Sequence, residues 1–128
     1  MKNFIIDAAR DKILLTFIVG KNIYTCSHEN SKINFEKLMI IINEFLKDNK
    51  CSLDDIDVIY INRGPGSFAG IRNSLSTIKA LFLTKNIDYY CFSFEDFRES
   101  GNIKYVDVPH LCEKYKIKKN LINPIYLS

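Results

Sequence analysis

The stretch Arg63-Gly64-Pro65-Gly66-Ser67-Phe68-Ala69-Gly70-Ile71-Arg72 decides how this chain is read. It joins the apolar run Val58-Ile59-Tyr60-Ile61 to a segment with helical periodicity that begins near Phe68. Glycine tolerates backbone conformations that a Cβ forbids, proline fixes the middle of the turn, and Ser67 is suited to cap the helix that follows. The residues therefore predict a strand that turns sharply into a helix.

Glycine-rich turns of this kind often hold phosphate, and two such motifs fail here. A dinucleotide fingerprint needs Gly-x-Gly-x-x-Gly, but the third glycine arrives one residue late and Pro65 removes an amide from the cradle. A P-loop needs Lys-Ser/Thr directly after its last glycine, whereas Gly70 is followed by Ile71-Arg72.

Together with Ser52-Leu53-Asp54-Asp55-Ile56-Asp57-Val58-Ile59-Tyr60, the glycine stretch resembles the signature of the bacterial TsaB (YeaZ) family. Arg63, Gly64, Pro65, Gly66, Ser67, Phe68, Gly70, Arg72 and Glu36 match, and Asp7 matches the aspartate that closes the family's first strand. The family's His-Ser-Glu reads Asn34-Phe35-Glu36 here, its loop threonine is Ala69, and Asn73 and Ser74 replace small residues. The resemblance covers residues 1 to 97 and resumes at Asn123-Pro124-Ile125-Tyr126-Leu127. It implies an actin-like (ribonuclease H-like) lobe over 1–97 and a short terminal segment, 98–128, packed on it, with most of the second lobe missing.

The resemblance also implies a role. TsaB-type proteins are non-catalytic partners of TsaD, which completes threonylcarbamoyladenosine beside the anticodon of tRNAs reading codons that start with A. The implied partners are a TsaD-like enzyme and a TsaE-like ATPase, with a homodimer when the chain is alone. Contact with tRNA would come only through the complex.

The residues support a similar picture by themselves. Lys2 to Ile6, Lys12 to Val19 and Asn22 to Cys26 read as an antiparallel meander with short turns. Asn34 to Lys47 reads as a helix whose core stripe is Phe35, Leu38, Met39, Ile42, Phe45 and Leu46. Val58 to Ile61 is a buried parallel strand, Phe68 to Lys85 a second helix, and Tyr89 to Phe94 a fifth strand. The fold class expected is α/β, a three-stranded antiparallel meander extended by parallel strands with crossover helices. Glu95 to Gly101 reads as a polar turn, and Val108 to Tyr115 as a terminal helix.

Composition bounds the function. The 128 residues make one domain with 47% hydrophobic and 26% charged residues, and no apolar run approaches the ~20 residues that cross a bilayer. The first residues are broken by Asp7 and do not form a secretory signal, so the cytoplasm is the expected compartment and no membrane partner is expected. A net charge of +3 is well short of the basic face typical of nucleic-acid binding. Lys114, Lys116, Lys118 and Lys119 read as the solvated side of the terminal helix.

No catalytic, cofactor or metal site is expected. Asp7 is followed by Ala8-Ala9-Arg10, without the glycine and hydroxyl residues with which actin-like ATPases grip nucleotide. Asp54, Asp55 and Asp57 read as a solvated turn, and His28-Glu29 as an exposed loop pair. Cys26, Cys51, Cys91 and Cys112 lie too far apart for a metal pair and read as reduced thiols. The alternative is a free-standing nucleotide- or phosphate-binding enzyme of the actin-like class, using Asp7 and the glycine loop.

A partner surface is the positive expectation. Ile40 and Ile41 fall outside the stripe assigned to the first helix, which a surface helix should not allow. Asn73, Ser76, Thr77 and Ala80 are small and lie off the core stripe of the second. With Glu36 and Arg72 they form the expected interface, and the family pairs with TsaD through the same two helices.

Overall fold

A computed structural model describes residues 1–126. Its center is a five-stranded sheet of order β3-β2-β1-β4-β5, in which β1 is Lys2–Asp7, β2 Lys12–Val19, β3 Asn22–Glu29, β4 Val58–Asn62 and β5 Asp88–Phe92. β1, β2 and β3 are antiparallel neighbors, while β4 pairs parallel with both β1 and β5. The expected meander extended by parallel strands is therefore the architecture observed.

The sheet is covered on both faces, and its alternation explains why the central strands are apolar throughout. Phe4, Ile6, Ile59 and Ile61 point into the larger core, with Phe35, Leu38, Ile42, Ile71, Leu75 and Ile78 from the crossover helices. Ile5 and Tyr60 point the other way and pack with Phe97, Val108, Leu111 and Cys112. Those last three belong to α4, Val108–Lys114, numbered after the three crossover helices.

The first crossover departs from the single helix expected over Asn34 to Lys47. It is two helices, α1 at Lys32–Glu36 and α2 at Leu38–Asp48, divided at Lys37, whose φ of −98° and ψ of 12° leave helical geometry. Ser31 starts α1 by accepting from the Asn34 amide. α3 spans Phe68–Lys85, as its periodicity predicts, and Asn86 ends it in the left-handed conformation.

Ile41 corrects the sequence reading. It is 6% exposed and belongs to the larger core, because Leu38, Ile41, Ile42 and Phe45 recur at three- and four-residue steps along one face of α2. Met39 lies at the flank of that stripe, half-buried. His28 and Glu29 sit on β3 rather than in a loop. β5 ends at Phe92, and within the segment read as a polar turn Phe97 is buried in the second core.

The terminal segment lies along the other edge of the sheet. The Asn120 amide donates to the Tyr89 carbonyl at 2.7 Å, and Asn120 Oδ1 accepts from the Tyr89 amide at 2.9 Å. Ile122 then packs against the larger core, and the Ile125 amide donates to the Arg63 carbonyl at 2.7 Å. Leu127 and Ser128, the end of the resemblance and of the terminal segment, lie outside the described residues. Among the described residues no helix is long and apolar enough to cross a membrane.

Candidate functional site

The glycine turn is committed to packing. Ser67 caps α3, its Oγ accepting from the Gly70 amide at 3.2 Å, while its own amide donates to the Ala9 carbonyl at 2.9 Å. A Cβ on Gly66 would stand 2.0 Å from the Ala9 oxygen, and one on Gly70 1.8 Å from the Ala8 oxygen. The glycines thus let α3 start directly against the β1–β2 turn. Gly64 has φ +110°, a Cβ there would meet the Ile125 oxygen at 2.1 Å, and its amide is taken by Asn62 Oδ1 at 2.9 Å. Pro65 follows through a cis peptide bond, and Phe68 opens α3.

Arg63 ties this turn to two other segments. Its guanidinium grips Asp96 through Nη2 at 2.6 Å and Nε at 3.3 Å, and Nη1 donates to the Asn123 carbonyl at 3.0 Å. Both side chains are largely buried, so this two-pronged pair is held in place rather than solvated. With the Ile125 bond to its carbonyl, Arg63 fastens the end of the chain to the β4–α3 junction.

Asp7 is at the C-terminal end of β1, where open α/β sheets receive ligands. It is fully buried. Oδ1 accepts from the Ala9 amide at 3.1 Å, and Oδ2 accepts from the Tyr105 hydroxyl at 2.5 Å, with Arg10 Nε at 3.7 Å. Burial, the Asp7 charge and this hydrogen bond all push the Tyr105 phenol above its ordinary value. Arg10 also covers the Phe94 ring, 4.6 Å from its centroid. A recess of about 180 Å³ remains beside it, lined by Arg10, Asn62, Gly64, Pro65, Ser93, Phe94 and Glu95. Tyr105 and Phe94 escaped the sequence reading, since their proximity to Asp7 depends on how the terminal segment returns to the sheet.

The remaining polar residues are used structurally. Asp55 accepts from the Ser52 amide at 2.9 Å, Asp57 from the Lys2 amide at 2.6 Å, and Asp54 pairs with Lys85 at 3.0 Å. Among the described residues no three His, Cys, Asp or Glu side chains approach as metal ligands would. The four cysteines are free thiols. Burial raises Cys26 to about 11 and Cys91 and Cys112 to about 12, which keeps them protonated and poorly nucleophilic. Lys114 and Lys119 pair with Glu99 and Asp88.

The outer surface of the crossover helices has a different character. Ile33 on α1 is 63% exposed, Ile40 on α2 55%, and Leu83 on α3 70%. Glu36, Arg72, Ser76 and Ala80 are also exposed, while Asn73 and Thr77 are half-buried. Asn73 Nδ2 donates to the Ala69 carbonyl at 2.7 Å and Thr77 Oγ1 to the Asn73 carbonyl at 2.9 Å. Both of these donors are therefore satisfied within α3. Ile41 lies beneath this surface and contributes little to it. Ile33 and Leu83 were missed, although Leu83 continues the Ser76 and Ala80 row at helical spacing. Beside the row, Arg72, Leu75, Ser76, Lys79, Ile122 and Tyr126 line a groove of about 520 Å³, and Tyr126 rests on Phe68 with centroids 4.7 Å apart.

Comparison with known proteins identifies the family. Residues 28–93, just over half of the chain, match the family described as TsaD, tRNA N6-adenosine threonylcarbamoyltransferase. The tRNA threonylcarbamoyladenosine biosynthesis protein TsaB of Buchnera aphidicola subsp. Baizongia pistaciae is 33% identical over 89 residues, covering 61% of this chain and 40% of the relative. The TsaB protein of Buchnera aphidicola subsp. Schizaphis graminum is 30% identical over 88 residues, covering 69% and 42%. The solved structure of YeaZ from Pseudomonas aeruginosa superposes with a TM-score of 0.66 at 16% identity, over 72% of this chain and 43% of that one, a likeness of fold. The chain spans about two fifths of the length of the curated relatives it matches. By the matched family, the shared TsaB relatives and the fold, this chain belongs to the TsaB (YeaZ) family.

Proposed function

We propose that this chain is a non-catalytic partner subunit in tRNA threonylcarbamoyladenosine biosynthesis, pairing with a TsaD-like enzyme through the outer surface of α1, α2 and α3. The observation that carries the reading is the contrast between two places in the fold. The carboxylate at the end of β1 is buried and already bonded to Tyr105 and Ala9, whereas the crossover helices present Ile33, Ile40 and Leu83 to solvent, along with the small exposed residues Ser76 and Ala80. A site for chemistry needs an accessible reacting group. A site for association needs exposed apolar area that a partner buries, worth about 25 cal/mol per Å².

Small residues on α3 favor a helical partner, because Ser76 and Ala80 let another helix approach closely and Leu83 supplies a protruding contact. Glu36, Arg72, Asn73 and Thr77 give that contact a polar margin. A TsaE-like ATPase joins the assembly, tRNA is met through the complex, and the chain alone pairs with itself on the same helices. The cytoplasm, where tRNA is modified, is the compartment this role requires. The alternative nucleotide-binding enzyme draws no support from Asp7, whose oxygens are both occupied, or from a glycine turn whose Gly64 and Ser67 amides are spent on Asn62 and Ala9.

Reconstitution tests the role. The TsaD-like and TsaE-like proteins of the same cell, given tRNA, ATP and an activated threonylcarbamoyl donor, should form the modified adenosine only when this chain is added. Equal product without the chain would refute the reading.

A further inference from the structure

The two edges of the sheet are treated differently by the fold. The β5 edge is occupied by the returning terminal segment, through Asn120 on Tyr89 and the Lys119–Tyr90 bridge. The β3 edge is open. Among the described residues, the sole hydrogen bond its backbone makes outside the sheet is from Asn34 Nδ2 to the Glu29 carbonyl, at the end of the strand.

Open edges are normally blunted by charge, proline, a bulge or short length. β3 has none of these over most of its course. It runs for eight residues, pairs with β2 in unbroken register from Asn22 to Glu29, and has no charge or proline between Asn22 and Ser27. Ile23 and Tyr24 are 49% and 37% exposed, one on each face of the sheet. Ile23 lies opposite Ile18 of the second core, while Tyr24 stacks on Phe17 of the larger one.

We propose that β3 is a self-pairing edge, on which a second copy of this chain docks antiparallel about a two-fold axis at Thr25 to make one continuous ten-stranded sheet. The geometry selects that register. A two-fold axis perpendicular to the sheet keeps each face together only when the residues opposed are an even number apart. Among such registers, centering on Thr25 opposes Ile23 to Ser27, Tyr24 to Cys26 and Asn22 to His28 of the copy, and only centering on Cys26 leaves as few strand residues unpaired. It also sets Lys21 of the turn opposite Glu29 of the copy, twice by symmetry. Centering one residue to either side loses both charge pairs. Lys21 just before β3 and Glu29 at its last residue thus place complementary charges at the two ends of this edge, with a neutral center between them, the pattern an antiparallel self-match requires. This edge is separate from the outer helix surface, so the inference does not rest on the proposed pairing with a TsaD-like enzyme.

Sedimentation of the full chain over a range of concentrations tests it, with Ala80→Glu to silence the helix surface. That variant should still form dimers. Glu29→Lys should weaken the association by at least about tenfold, since two attractions become two repulsions, and the exchanged chain Lys21→Glu/Glu29→Lys should recover it. Amide hydrogen exchange within Ile23–Ser27 should slow as the dimer forms. An Ala80→Glu chain that remains monomeric throughout, or a dimer whose strength is unchanged by Glu29→Lys, would overturn the proposal.

Discussion

At Gly66 a single hydrogen atom separates a packed turn from a clash, because a Cβ there would lie 2.0 Å from the Ala9 oxygen and backbone cannot step aside cheaply. Gly66→Ala should cost about 1–3 kcal/mol, as forced overpacking does, and lower the thermal midpoint by several degrees. Tyr105→Phe removes the hydrogen-bond donor to Asp7 Oδ2, leaving that buried oxygen only the longer 3.7 Å ion pair with Arg10. Chemical denaturation should show a loss of about 1–3 kcal/mol. The buried thiols make a prediction in pH. Cys91 and Cys112 rise from an ordinary value of 9.0 to about 12, chiefly by burial, so the folded state holds protons that the unfolded chain releases first. Their stabilization is complete below about pH 9 and is lost as pH climbs toward about 12. The thermal midpoint should be insensitive to these groups from neutrality to about pH 9 and fall beyond it. Replacing both cysteines with alanine should flatten that fall, and an unchanged alkaline slope would count against the assignment.

Among the elements, α2 gives the sharpest contrast, because Ile40 and Ile41 are neighbors in sequence and opposites in environment. Ile41→Ala should cost about 2–5 kcal/mol by leaving a cavity under the helix, while Ile40→Ala should change stability by less than about 0.5 kcal/mol. Comparable losses from both would mean that α2 is rotated from the position described. The same pair shows how far the elements were legible beforehand. The bounds of β2 follow from a nearly continuous apolar run between two polar turns, and those of α3 from an uninterrupted three- and four-residue repeat. Ile41 was misassigned because α2 has apolar residues at Leu38, Met39, Ile40, Ile41 and Ile42, a run that marks no unique stripe. The division at Lys37 left no signal, since neither glycine nor proline stands there. The glycine turn was legible as a strand-to-helix corner. That its glycines make room for Ala8 and Ala9, and that Tyr105 meets Asp7 from 98 residues away, depends on contacts that no local pattern encodes.

For the whole molecule, the terminal segment replaces exposed backbone at one sheet edge and locks the glycine corner through Arg63. A chain ending at Lys118 would lose the Asn120 bonds to Tyr89, the Ile122 packing and both ties from Arg63 to Asn123 and Ile125. It should unfold at lower temperature and aggregate through the uncovered β5 edge. In the role proposed above, this member of the TsaB family presents its crossover helices to a catalytic partner. The most direct measurement is the affinity of the purified chain for the TsaD-like enzyme of the same cell, compared with that of Ala80→Glu, by titration calorimetry. A charge placed on the exposed row should leave the thermal midpoint unchanged and weaken binding by at least about tenfold, because an interface must then bury it unpaired. Wild-type affinity in the Ala80→Glu chain, or no binding by the wild type, would contradict the account.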